Sequence, residues 1–171
     1  EAETVWLHVG HGGVVEGHAL GFDGETGFGL VKALGKVDLQ PLPIGKSSEA
    51  QAGERIVVGG AGGRTRSLAG HIAARQEFAG YWEYLIDDAI FTFPAHPNWG
   101  GTGLISHKGE LIGVGSLQLE RERVGRNEHL NMVVPIDLLP PSLNDRRRCG
   151  RVDKRVRPGR GVYSTEIEDK V

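Results

Sequence analysis

The stretch HPNWGGTGLISHKGELIGVGS, residues 96–116, joins a glycine-rich loop to two apolar arms that flank His107, Lys108 and Gly109. Apolar arms of this length around a glycine-containing connection predict an antiparallel hairpin from Gly103 to Leu119. The residues just before it, Gly100 to Gly103, are small, so the main chain there is left open to whatever approaches it. A bare backbone loop feeding a hairpin is a binding or catalytic arrangement as readily as a turn, and the rest of the chain decides between them.

The 27 glycines among 171 residues follow no fixed period and lie between short Val, Ile and Leu runs. That pattern predicts an all-β domain with many tight turns. Upstream, TVWLHV, HALGF and FGLVKAL read as a meander of short strands, followed by a polar loop and a compact strand from Arg55 to Val58. SLAGHIAAR and YWEYLIDDAIFTF read as two more strands. Downstream, ERERVGRNE reads as a charged loop and HLNMVV as a strand. Pro135 suits the first turn of a short helix, PIDLL, which Pro140 and Pro141 end. RRRCGRVDKRVRPGRG reads as a linker by composition, and GVYSTEIEDKV as the first strand of another unit.

The formal charge is −2, which implies no global field for a polyanion. Residues 1–140 hold 11 Lys/Arg against 17 Asp/Glu, whereas 141–171 hold 9 against 5. The basic excess therefore sits in the tail. Without interleaved aromatics, the run from Arg146 to Arg160 reads as a solvated linker rather than a nucleic-acid surface. Cys149 is the single cysteine, so no internal disulfide framework is possible. No run approaches the roughly 20 apolar residues of a membrane span, and no cofactor is implied.

Residues 91–116 resemble the HtrA/Deg branch of the trypsin-like serine proteases, in which N-P-G-N-S-G-G-P-L leads into a V-x-x-x-G-E-V-I-G-I hairpin. Aligned without gaps, Gly100 falls on the serine, Asn98 on the glycine two before it, and Gly109, Glu110, Ile112 and Gly113 match the hairpin. LPIGKSSEAQAGERIVVGG, SLAGHIAAR and MVVPIDLL are similar to further segments in the same order. GFDGETGFGLVK, residues 21–32, resembles the segment that carries the triad acid, with Gly27 in that place. The resemblance covers about Ala19 to Leu139. It implies a trypsin-like double β-barrel with the second barrel largely complete and the first partial, a protease-type domain over 1–140, a linker over 141–160, and the start of a PDZ-like module over 161–171. In a full-length parent it suggests an exported, periplasmic-type location.

The same carry-over defines the candidate site. The nucleophile position is Gly100 and the acid position Gly27, and the histidine-bearing turn has no counterpart, since His8, His11 and His18 stand too close to Gly27. The backbone N–H groups of Asn98 and Gly100 are the expected oxyanion donors, and Gly115, Ser116, Leu117, Gln118 and Leu119 the strand that pairs with an extended polypeptide by β-addition. Acyl transfer requires an activated hydroxyl, a base and an oriented carboxylate, so these residues imply a degenerate serine endopeptidase homologue that binds peptides or partners. An active enzyme using an unconventional residue, or residues of a longer parent, is the alternative; a purely structural domain is a third reading.

Thr102 is the nearest hydroxyl to the lost serine, but two residues of extended chain displace a side chain by roughly 6 to 7 Å. Ser106 and Ser116 read as ordinary strand positions. His8, His11, Glu16 and His18 match no metal-site spacing, and read as residues of a wet strand face. His96 and His107 read as exposed loop residues, GHGG and GGAGG as turns rather than phosphate loops, and Trp6 and Trp82 as core or near-core residues. Trp99, beside the nucleophile position, is placed to cap or obstruct the cleft.

Overall fold

The computed structural model describes residues 5–9, 12–80, 85–123 and 125–139. The linker expected at 141–160, the unit at 161–171, Pro140 and Pro141, Cys149, His11 and Trp82 lie outside them. The architecture is all-β, as the glycine and apolar pattern dictates. Strands β1 (Val5–Val9), β2 (Gly13–Phe22) and β3 (Gly29–Ala33) form an antiparallel three-stranded sheet in that order. Strands β4 (Arg55–Gly59), β5 (Ser67–Ala79), β6 (Leu85–Phe93), β7 (Gly103–Ile105), β8 (Leu111–Arg123) and β9 (Arg126–Pro135) close a barrel in the order β4-β5-β6-β9-β8-β7. One barrel is thus complete and the other partial.

Alternation of side chains along each strand builds two clusters on either side of the barrel wall. Ile56 and Val58 of β4, Ile72 of β5, Ile90 of β6, Leu104 of β7 and Val133 of β9 fill the interior. Their neighbours in sequence, Ala89, Phe91, Met132 and Val134, pack on the outside against Phe28, which precedes β3. The run from Leu130 to Ile136 is buried at every residue, so the central part of β9 belongs to both clusters. Burial of this kind is worth about 1.5–3 kcal/mol per large aliphatic side chain, and it makes β9 the strand that ties the partial sheet to the barrel through Phe28.

Several expectations are corrected. The segment read as a charged loop, ERERVGRNE, is mostly strand: β8 and β9 pair as far as Arg123↔Arg126. A solvated antiparallel arm can carry charged residues along its ladder, so composition misled. The expected helix PIDLL is a 3-10 turn, Ile136–Leu138. Trp6 is 61% exposed rather than in the core; it stands on β1 directly opposite Glu16 of β2, and nothing covers it among the described residues.

The two ends of the barrel chain are clamped by one carboxylate. Asp137 Oδ1 accepts the Ser47 N–H at 3.0 Å and Oδ2 the Ser48 N–H at 2.9 Å, while Ser47 Oγ accepts the Asp137 N–H at 3.2 Å. Nearby, the Arg75 guanidinium donates to the carbonyls of Ser47 and Ala50 and pairs with Asp88. Burial pushes the Asp137 carboxyl up, but the hydrogen bonds from Ser48 and Ser47 outweigh it and hold the group below its ordinary value. A depressed carboxylate stabilises the fold above its unfolded pKa and loses that contribution as pH falls through its folded pKa. Asp137→Asn is expected to cost about 1 kcal/mol at pH 7, at the low end for a charged hydrogen-bond acceptor because the carboxylate is largely solvated. Urea unfolding at stepped pH should show the wild-type and variant stabilities converging below about pH 4.

Candidate functional site

The turn between β6 and β7 carries Gly100, the expected nucleophile position, and its shape is set by hydrogen bonds to three other parts of the chain. Gly101, with φ +75°, bends the main chain back, where a side chain would be strained. Its N–H donates to the Gly115 carbonyl at 2.9 Å, and the Gly115 N–H donates to the Thr102 carbonyl at 2.7 Å. The Trp99 carbonyl receives both the N–H of Thr102 at 3.2 Å and its hydroxyl at 2.8 Å. Thr102 is buried and its hydroxyl is committed to this carbonyl, so it closes the turn.

Gly115 is a glycine because nothing larger fits. A Cβ there would lie 2.3 Å from both Thr102 Oγ1 and the Trp99 carbonyl oxygen. Gly100 is the opposite case: it is exposed, its φ lies outside the left-handed region, and a Cβ would meet nothing within 4 Å. A serine would therefore find room at this position. Gly27, the expected acid position, sits in the turn from β2 to β3 with φ +76° and donates its N–H to the Asp23 carbonyl at 2.8 Å. That turn is further organised by the Asp23 carboxylate, which accepts from Glu25 N–H and the Thr26 hydroxyl.

His96 departs from expectation, being 4% exposed rather than solvated. Its main-chain N–H donates to Asn131 Oδ1 at 2.5 Å, and Asn131 Nδ2 reaches back to the His96 carbonyl at 3.4 Å. Its ring Nε2 is 2.8 Å from the Arg66 carbonyl oxygen, and the Asn98 N–H donates to its Nδ1 at 3.1 Å. Sequence reasoning missed both His96 and Asn131. A signal existed for the second: in HLNMVVP the alternation puts Asn131 on the same side as Val133, which faces the barrel interior, where a polar side chain needs a partner.

Of the two expected oxyanion donors, the Asn98 N–H is engaged with His96, and the Gly100 N–H makes no hydrogen bond among the described residues. Of the expected peptide-pairing strand, Gly115 is held by the turn, and Ser116 is the extra residue of a β-bulge between Gly115↔Val133 and Leu117↔Met132. Leu117 and Leu119 pack against the outer cluster, and Gln118 is exposed. One edge of β8 pairs with β9 from Gly113 to Arg123, but β7 reaches only as far as Val114. From Leu117 onward the other edge has no strand partner among the described residues. A separate cleft of about 540 Å³ is lined by His71 and Ala73 of β5, Phe93 at the end of β6, and Arg121, Glu122 and Glu128 of the β8–β9 arm.

The remaining candidates are dispersed. His107 is exposed and lies 3.3 Å from Glu54, and Ser106 Oγ caps the hairpin turn by accepting from Lys108 and Glu110. His8, Glu16 and His18 are exposed on the small sheet, and no group of three metal-ligating side chains comes together among the described residues. Among them, too, no helix is long and apolar enough to cross a membrane.

The two glycines flanking the turn should respond oppositely to substitution. Gly115→Ala is expected to lose about 1–3 kcal/mol by overpacking, whereas Gly100→Ser should stay within about 0.5 kcal/mol of wild type. Urea unfolding of the two variants checks both; equal stabilities would show that the turn is not packed against β8 as described.

The family model for the trypsin-like peptidase domain matches residues 1–114. Among solved structures, the HtrA-type protease AlgW with a decapeptide superposes with a TM-score of 0.70 at 20% identity, over 88% of this chain and 46% of that one. Variant forms of AlgW, with a decapeptide and with a tripeptide, give 0.69 at 20% identity over 88% of this chain and 46% and 50% of theirs. The chain thus spans about half the length of the solved chains it matches. No curated protein matches its sequence. With the family model covering two thirds of the residues and the same all-β architecture in its structural neighbours, the chain belongs to the trypsin-like peptidase domain family.

Proposed function

We propose that this domain binds extended polypeptide segments and does not hydrolyse them. Two features at one site carry the reading: the residue that the resemblance sets at the nucleophile position, Gly100, has no hydroxyl, and the neighbouring β8 edge has no strand partner among the described residues from Leu117 onward. In subtilisin, loss of the serine or histidine alone lowers turnover by about 2 × 10⁶. The hydroxyl of Thr102, two residues beyond Gly100, is buried and donates to the Trp99 carbonyl, so it has neither the exposure nor the free geometry of a nucleophile. The acid position, Gly27, offers no carboxylate. The Asn98 N–H donates to His96, which counts further against a catalytic oxyanion hole, because such a hole works by donors already aimed at the developing charge.

Binding requires less. An unpaired strand edge supplies main-chain donors and acceptors at the spacing an extended peptide needs, and side chains at alternate positions supply selectivity. The AlgW structures hold a decapeptide and a tripeptide, and the shared fold makes a peptide the natural ligand class to test here.

The test uses the 171-residue chain and a set of extended decapeptides. Saturable binding with amide shifts concentrated at Leu117, Gln118 and Leu119, no cleavage on prolonged incubation, and no labelling by a fluorophosphonate are the expected results. Turnover sensitive to serine-directed reagents, or binding that leaves the β8 amides unmoved, would overturn the reading.

A further inference from the structure

His96 is the one buried imidazole among the described residues, and peptide addition to β8 makes no use of it. Its two ring nitrogens face groups of fixed polarity. The Arg66 carbonyl oxygen can only accept, so Nε2, 2.8 Å away, carries the hydrogen. The Asn98 N–H can only donate, so Nδ1, 3.1 Å away, is bare. The ring is therefore a single neutral tautomer with both polar atoms satisfied. It is also hemmed in: a Cβ on Gly60 would come within 3.0 Å of its Cε1, and its main chain is gripped on the other side by Asn131.

We infer that His96 is an intramolecular latch on the turn, in which its Nδ1 occupies the Asn98 amide that a carboxylate or other oxyanion would otherwise engage together with the Gly100 amide, which has no hydrogen-bond partner among the described residues. The inference concerns the regulation of the turn beside the proposed peptide edge and rests on reading that turn as part of the binding site. An oxyanion reaches the two amides only by displacing the imidazole as acceptor, so its apparent affinity is lowered by the small fraction of molecules in which the ring has let go. His96 is here a positioning residue: it acts on the site through Asn98.

Two substitutions separate the ring nitrogens. His96→Gln keeps a nitrogen donor near the place of Nε2, toward the Arg66 carbonyl, with nothing at Nδ1. His96→Asn keeps an acceptor near the place of Nδ1 and nothing at Nε2. Amide hydrogen exchange and acetate titrations followed by NMR on the full chain read the outcome. In His96→Gln the Asn98 amide is expected to exchange about tenfold faster and the Asn98 and Gly100 amides to respond to acetate at about tenfold lower concentration, the size of one net hydrogen bond. The Ile72 and Leu104 amides of the core should keep their protection, and His96→Asn should behave like wild type at Asn98. Unchanged exchange at Asn98 in His96→Gln, faster exchange without a gain in acetate response, or identical behaviour of the two variants would overturn the latch. Should the Gln variant fail to fold, the ¹⁵N spectrum of the wild-type imidazole decides: a bare Nδ1 coupled to the Asn98 N–H supports the latch, and a protonated Nδ1 refutes it. Peptide addition is read separately at Leu117 and Leu119, so the absence of peptide shifts there removes the proposed function while the Asn98 exchange still judges the latch.

Discussion

A buried side chain that reads two main-chain groups at once fixes the turn between β6 and β7. The His96 ring spans from the Arg66 carbonyl to the Asn98 N–H, and the His96 backbone is bound by Asn131. Three stretches far apart in sequence meet there: the end of the glycine-rich loop after β4, the turn after β6, and the middle of β9. The turn has no hydrophobic core of its own, and Trp99 is only half-buried. Its form therefore follows from satisfied polar groups, where each unsatisfied buried donor would cost about 1–3 kcal/mol.

That arrangement depends in turn on β9. Because Met132 and Val134 face the outer cluster while Val133 faces the interior, the register of β9 is doubly determined, and a one-residue slip would exchange the two faces. Asn131 is carried to the turn by this register, opposite Thr92 of β6. Hydrophobic alternation thus positions the polar anchor of the site, and Asp137, just beyond the same strand, clamps the segment that leads into β4. Fold and candidate site share one strand as their reference.

Much of this was legible in the sequence where the determinants are local. The hairpin from Gly103, the strand at Arg55, and the long apolar strands on either side of the turn all follow from periodicity and glycine placement. What escaped was non-local. His96 lies in a stretch rich in Pro and Gly that reads as exposed, and its burial arises from partners 30 and 35 residues away. The β8–β9 arm was hidden because its charged residues resemble a loop, although main-chain pairing to Arg123↔Arg126 does not require apolar side chains. Trp6 was misplaced because aromatic content alone does not say which face of a thin sheet is covered. The 3-10 turn at Ile136–Leu138 is too short for propensity to distinguish from a helix. The positions of Gly100 and Gly27 were assigned by resemblance, and the steric freedom of one and the backbone bend of the other became visible only in three dimensions.

The long β8 strand has a consequence for how the molecule survives in solution. A free strand edge is a template for indiscriminate pairing and therefore for aggregation. Here the apolar part, Leu117 to Leu119, gives way at once to Glu120, Arg121 and Glu122, with Arg121 held to Glu128 across the arm. Alternating charges discourage a second copy from zipping along the whole strand, because like-charged residues would be brought together in most registers. The edge thus carries its own gatekeepers, and only the short stretch from Leu117 to Leu119 is left without charge.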